Sequence, residues 1–196
     1  MKDSSFPWYT RVDAGYSAIE QGDILVNCKT VNIALEGLYE QIQKLDPQHV
    51  LQIDNAELEE LNLIVLSQSC DLQTREDGKT TLKKVLLCAF HRHDQFPKDK
   101  DDKELDVHNI AQGRQPSYHL LPPCDLTQFE RGLRIIDFRN LYVLPIEYLR
   151  AHLKASPHLR LMPPYREHLS QAFARFFMRV GLPSEIEKND LQRLTP

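Results

Sequence analysis

The chain contains no long run of apolar residues, and this absence excludes one class of protein. No stretch of about twenty apolar residues is present, which is the length needed to cross a bilayer as a helix. The segment from Met1 to Trp8 also lacks the apolar core of a secretion signal. We therefore expect a soluble, cytoplasmic protein with no membrane partner.

Cysteine is scarce as well. Cys28, Cys70, Cys88 and Cys124 are widely separated, and no Cys-x-x-Cys pair occurs. A disulfide framework is not needed in a chain of 196 residues, which is long enough to bury one hydrophobic core. We expect reduced thiols and a single domain over residues 1–196.

The chain also lacks an excess of positive charge. Its formal net charge is -4, and its calculated pI is near 6.1. A protein that coats nucleic acid through bulk charge carries the opposite sign. Any site for a polyanion must therefore be local.

Residues 62–72 are the most informative stretch that is present. An apolar run rich in β-branched residues breaks abruptly into Ser-Gln-Ser-Cys-Asp. This pattern predicts a buried central strand that carries a polar cluster at its end. The candidate catalytic residues are the members of that cluster: Ser67, Gln68, Ser69, Cys70 and Asp71.

Cys70 is the most reactive residue type in this cluster. Asp71 follows it directly, and a neighbouring negative charge raises a thiol pKa instead of lowering it. A nucleophilic role for Cys70 would require a histidine nearby in space. The alternative is a thiol with no catalytic role.

A zinc site is a second use for these thiols. Residues 84–90 form a predicted strand, joined to the central one by a short loop, so the two are expected to be antiparallel neighbours. Cys70, Cys88, His91 and His93 would then supply a full ligand set. On an extended strand Cys88 and His91 face opposite sides, so we favour buried structural thiols and expect neither a metal nor a cofactor.

Other segments have less specific patterns. Residues 1–20 are predicted to be an arm that packs Trp8 and Tyr9 on the body. Apolar spacing predicts a helix over residues 31–45, after a short strand at 24–28. The acidic residues 54–60 are predicted to form a solvated turn or short helix.

The second half is predicted to be mostly strands. We expect strands at 118–121, 133–138 and 141–144, the last two as a hairpin or one bent strand, and a helix at 146–153 that follows Pro145. Residues 92–117 are nearly all polar and are expected to form a long solvated loop.

The carboxy-terminal helix has the clearest periodicity. Over residues 165–180, apolar side chains recur at steps of three and four, and we expect this face to dock on the sheet. The opposite face is either a solvated surface or a local phosphate-binding surface. We name its basic side chains the basic ridge: Arg166, His168, Arg175 and Arg179.

Three blocks carry a family resemblance: residues 21–26, 63–67 and 134–139. In their order they resemble the PemK/MazF-like toxins, which have a small SH3-like β-barrel with a terminal helix and often cleave single-stranded RNA without a metal. The resemblance implies an α+β domain built on a mostly antiparallel SH3-like barrel. It also implies a homodimer. Separately, Ser67–Leu72 resembles a Ser-Gln-x-Cys-Asp-Leu motif of uncharacterised bacterial proteins.

The chain departs from the toxin pattern at the catalytic positions. Active members usually place Arg-Pro soon after the first strand, and no Arg-Pro follows residues 24–28. Only Ser67 and Ser69 match the serine or threonine expected after the second block. Two hypotheses remain: a protein that binds or cleaves RNA, and a non-catalytic module that binds a protein partner in a bacterial stress or phage-defence system.

Overall fold

A single antiparallel sheet organises the protein. The computed structural model describes residues 7–16, 18–33, 56–74, 82–96, 105–123 and 132–178. The order of the strands is β1-β7-β2-β3-β4-β6-β5, and every pair of neighbours is antiparallel. The strands are β1 (Tyr9–Val12), β2 (Asp23–Ile33), β3 (Ala56–Val65), β4 (Lys84–Arg92), β5 (Tyr118–Leu121), β6 (Arg134–Pro145) and β7 (His158–Leu161).

Four α-helices accompany the sheet in the described part of the chain. They are α1 (Ser69–Leu72), α2 (Val107–Ala111), α3 (Ile146–Ala155) and α4 (Tyr165–Phe177), and a 3-10 turn covers His93–Gln95. The mixed, mostly antiparallel class expected from the sequence is therefore confirmed. No described helix has both the length and the apolar character to span a membrane.

The predicted central strand is confirmed. β3 is fourth in the order of seven strands, and Leu63, Ile64 and Val65 have no exposed surface. Successive side chains point to opposite faces of a strand, so the run must be apolar on both sides. β4 is its antiparallel neighbour, as the short connection indicated.

Each face of the sheet is covered by one helix. On one face Leu169 of α4 packs into a core with Ile64 and Phe138. On the other face Leu149 of α3 packs with Leu63 and Val65. The sheet therefore separates two hydrophobic cores, and sites beside α3 and α4 lie on opposite sides of it.

The sheet is open within the described residues. Its edge strands, β1 and β5, do not pair through their backbones. One side-chain contact joins them, because the Tyr9 hydroxyl donates a hydrogen bond of 3.0 Å to the Pro122 carbonyl. The arm prediction is confirmed in that Trp8 and Tyr9 pack on the body, and the arm also contributes β1 to the sheet.

Two local predictions in the first half are wrong. Residues 31–33 belong to β2 instead of a helix, and residues 56–60 belong to β3 instead of a turn or helix. The two segments pair with each other, for example Val31 with Leu58. Because the pairing partner lies far along the chain, local periodicity did not reveal it. The rest of the predicted 31–45 helix lies outside the described residues.

Of the two alternatives for the blocks at 133–138 and 141–144, the single bent strand is confirmed: both belong to β6, which has an irregularity opposite Cys88 and Phe90 of β4. The second half differs from the prediction in two places. Residues 92–117 contain the 3-10 turn and helix α2, so they are not one loop. β7, four residues long, was not predicted because its pattern is too short to recognise.

Gly22 provides a test of the packing at the start of β2. Its φ is +85°, and a Cβ there would lie 3.0 Å from Leu161 Cβ. We expect Gly22→Ala to lower the free energy of unfolding by roughly 2–5 kcal/mol through backbone strain and overpacking. Gly15→Ala is the matched control, because Gly15 also has a positive φ but has open space around it. Equal losses in urea unfolding would contradict the close packing at Gly22.

Candidate functional site

The two serines at the end of β3 are engaged with neighbouring backbone. The Ser67 hydroxyl accepts a hydrogen bond of 2.9 Å from the Leu86 amide of β4. The Ser69 hydroxyl accepts one of 3.0 Å from the Gln21 amide. Each hydroxyl therefore satisfies a backbone donor, one in the turn before β2 and one in β4. This arrangement fixes the fold at the end of β3.

The remaining cluster residues lie at the surface. Gln68, Cys70 and Asp71 are exposed, and the Cys70 thiol donates to Gln68 Oε1 at 3.7 Å. No histidine in the described part of the chain hydrogen-bonds this thiol. Within the described residues, Cys70 therefore lacks the base that would activate it as a nucleophile.

The four residues of the zinc set are not brought together. No group of three or more metal-ligating side chains forms among the described residues. The buried Cys88 thiol instead donates to the Asp137 carbonyl at 2.9 Å, and burial raises its pKa to about 12. Burial also lowers the pKa of His91, whose ring packs edge-on against Phe96. His93 begins the 3-10 turn.

A cavity of about 600 Å³ lies beside α1 and α3 and includes Ser69 in its lining. We name it the strand-end cavity. Glu20 and Glu147 line it together with Arg150 and Lys154. Arg150 already forms an ion pair, because its guanidinium donates a hydrogen bond of 2.8 Å to Glu147 Oε1. Opposite charges in the lining largely cancel, so this cavity has no strong preference for an anion or a cation.

A second cavity, of about 290 Å³, lies between the end of α2, strand β5 and helix α4. We name it the ridge pocket. Its polar lining includes Tyr118, His119, His168, Gln171 and Arg175. None of the described residues that line it is a carboxylate. The pocket therefore favours an anion, in contrast to the strand-end cavity.

The basic ridge is divided by the structure. Arg166 forms ion pairs with Glu20 at 3.4 Å and with Glu167 at 3.1 Å, so neighbouring carboxylates largely neutralise its charge. Arg175 is exposed and forms no hydrogen bond or ion pair with any described residue. His168 lies between them on the pocket wall. Arg179 is outside the described residues.

His119 is the residue of the ridge pocket that the sequence analysis missed. Its Nε2 is buried and has no hydrogen-bond partner among the described residues. Burial, and then the proximity of His168, lower its pKa to about 4, so its ring is neutral at pH 7. In the sequence, the pattern of β5 identifies His119 only as one residue of a strand. No local signal in the sequence brings β5 and α4 together.

Tyr118 is held in place by a charged pair on β6. The Arg139 guanidinium lies 4.8 Å from the centroid of the Tyr118 ring and hydrogen-bonds its hydroxyl. Arg139 is itself bound to the buried Asp137 carboxylate at 2.9 Å. The irregularity of β6 thus supplies the contacts that orient one wall of the ridge pocket.

The predicted catalytic cluster and the basic ridge do not form one site. The strand-end cavity lies on the α3 side of the sheet, and the ridge pocket lies on the α4 side. The two cavities share no lining residue in the described part of the chain. Chemistry at Ser69 therefore cannot use the charge of Arg175.

No protein-family model and no curated protein matches this chain. The resemblance to the PemK/MazF-like toxins therefore depends on the three short sequence blocks. The geometry of the two cavities provides the basis for a functional argument.

The structural role of Ser67 can be tested directly. We expect Ser67→Ala to destabilise the protein by about 1–3 kcal/mol, because the Leu86 amide loses its acceptor. Cys70→Ala is the matched control in the same segment, and its exposed side chain predicts a change within about 0.5 kcal/mol. Urea unfolding of both variants measures these changes. An unchanged stability in Ser67→Ala would contradict the structural assignment.

The low pKa of His119 predicts an acid-dependent loss of stability. In the unfolded chain His119 binds a proton near pH 6.5, whereas in the folded protein it does so only near pH 4. The contribution of neutral His119 to the free energy of unfolding is therefore fully present above about pH 6.5. It declines as the pH falls toward about 4. Between about pH 7 and pH 5 the wild type should lose roughly 2 kcal/mol more than His119→Phe. If urea unfolding showed the same loss of stability with falling pH in the wild type and in His119→Phe, a lowered His119 pKa would be excluded.

Proposed function

We propose that this protein binds single-stranded RNA through the ridge pocket and the adjoining face of α4. The observation that carries the proposal is a concave pocket without a described carboxylate, in which Arg175 has no partner among the described residues and lies beside His168 and Gln171. The proposal also agrees with the family resemblance, which points to RNA.

Arg175 is well suited to a phosphate because no described residue competes for its guanidinium. A guanidinium can donate two parallel hydrogen bonds to a phosphate, and such charge-assisted bonds are stronger than neutral ones. Arg166 would first have to break its contacts with Glu20 and Glu167. The sequence pattern treated the two arginines alike, but only Arg175 is available for a ligand.

The remaining wall of the ridge pocket suits a single strand better than a duplex. Unpaired nucleotides can enter a concave site, where aromatic rings and amides contact the base. Tyr118 and Gln171 provide those groups here. The net charge of -4 opposes extended contact with a duplex backbone.

The proposal is for binding without cleavage by the residues at the end of β3. Ser67 and Ser69 act as acceptors for backbone amides, and Cys70 has no histidine partner in the described part of the chain. A cleavage reaction there would lack both an activated nucleophile and the charge of Arg175.

A protein-interaction module is the second candidate function. One observation favours it: Val31 and Leu58 pair directly across β2 and β3, yet they are 58% and 75% exposed. Such a pair of apolar side chains on a ribbon suits a protein contact. In this case the residues of the ridge pocket would have no effect on partner binding, whereas Leu58→Lys would weaken it.

The RNA proposal is tested by fluorescence anisotropy with a short mixed-sequence RNA. We expect Arg175→Gln to weaken binding roughly tenfold or more, and to reduce the slope of log affinity against log salt by about 0.7, because one phosphate contact is lost. Arg11→Gln is the matched control, since it removes the same charge from β1, and Arg11 does not line the ridge pocket.

Two outcomes would contradict the proposal. One is an absence of RNA binding in the wild type, and the other is an equal loss of affinity in the two arginine variants. RNA recovered after incubation should be intact. Cleavage that disappears in Cys70→Ala, a variant expected to fold normally, would place catalysis at the end of β3 instead.

A further inference from the structure

The shape of the ridge pocket limits how a strand can use it. The pocket is bounded by the turn after α2, by β5 and by α4. Its volume of about 290 Å³ lies just below the range of roughly 300–1,000 Å³ that is typical of ligand sites. It therefore has room for about one nucleotide unit. A strand that ends in the pocket needs one opening, whereas a continuous strand needs an entry and an exit.

The charges in the pocket favour a group with more than one negative charge. Arg175 and His168 lie on the exposed side of α4, and Gln171 adds amide donors between them. A phosphodiester carries one negative charge, whereas a phosphate monoester has a second ionisation near pH 6. Because no described carboxylate lines the pocket, nothing offsets this additional attraction.

His119 supplies a second, independent indication of a ligand. Its buried Nε2 has no partner among the described residues, although buried polar atoms in proteins are nearly always hydrogen-bonded. A neutral imidazole can donate a hydrogen bond to a phosphate oxygen without the cost of burying a charge. A rotation of the His119 ring toward the pocket would let a bound phosphate satisfy this nitrogen, which has no partner among the described residues.

We infer that the ridge pocket binds the terminal phosphate monoester of a nucleic-acid strand. This inference depends on the proposed function and extends it from the strand to its end. The Arg175 guanidinium and the His168 ring contact the phosphate oxygens from α4, and His119 donates from β5. The 5′ and 3′ terminal phosphates share this chemistry, and experiment distinguishes them.

The test compares three RNAs of one sequence: one with a 5′ phosphate, one with a 3′ phosphate and one with hydroxyls at both ends. We expect one phosphorylated form to bind about tenfold more tightly than the unphosphorylated RNA, because it adds a charge-assisted contact. Arg175→Gln and His168→Gln should each abolish this advantage. Arg11→Gln should retain it.

The outcomes separate the inference from the proposed function. Equal affinity for all three RNAs would overturn the terminal-phosphate inference and leave RNA binding intact. If no RNA binds, the proposed function fails, and the pocket is still testable with a nucleoside monophosphate. Shifts of the His119 and His168 NMR signals with the monophosphate but not with the nucleoside would support the inference. Identical spectra with both compounds would overturn it.

Discussion

The buried carboxylate of Asp23 holds together the part of the fold on which the rest depends. It has no exposed surface, and Arg160 of β7 donates to both of its oxygens, at 2.5 and 3.0 Å. The Glu20 amide donates to it as well, at 2.8 Å. Removing one partner would leave a buried charge uncompensated, which typically costs about 3–5 kcal/mol. The pair thus fixes β7 against the start of β2.

The same network extends to α4. Glu20 accepts hydrogen bonds from both Arg160 and Arg166, and Arg166 lies in the first turn of the helix. Gly22 allows β2 to approach Leu161 closely, and the Gly22 carbonyl accepts from the Leu161 amide at 2.9 Å. Arg166 is therefore an anchor of α4, whereas Arg175, about two and a half turns along the helix, lines the ridge pocket.

The sequence predicted the parts of this structure that depend on local pattern. The apolar run of β3 marks a strand buried on both faces, and the period of α4 marks a helix with one buried face. Both appear as expected because burial alone determines them. The ribbon of β2 and β3 was mispredicted, since Val31 and Leu58 acquire their strand structure from each other. Their separation of more than twenty residues hides that pairing from any local window.

The residues of the candidate site were also predicted only where local pattern identifies them. His168 and Arg175 were identified from helical spacing, whereas His119 was missed because its role depends on the contact of β5 with α4. The Ser-Gln-Ser-Cys-Asp cluster also has a structural explanation, because its two serines accept hydrogen bonds from backbone amides, and polar residues at a strand end resemble a catalytic cluster in sequence. Polarity alone therefore does not separate a structural cluster from a functional one.

The end of β3 and the ridge pocket differ in whether their polar side chains have hydrogen-bond partners. Both serine hydroxyls at the end of β3 have backbone partners, whereas the ridge pocket holds an arginine and a buried imidazole nitrogen with no partner in the described part of the chain. The buried imidazole nitrogen carries a desolvation cost that a ligand can remove, and the exposed guanidinium can exchange water for a ligand. Because both groups can donate to phosphate and no described carboxylate offsets them, the pocket's chemistry points to an anion.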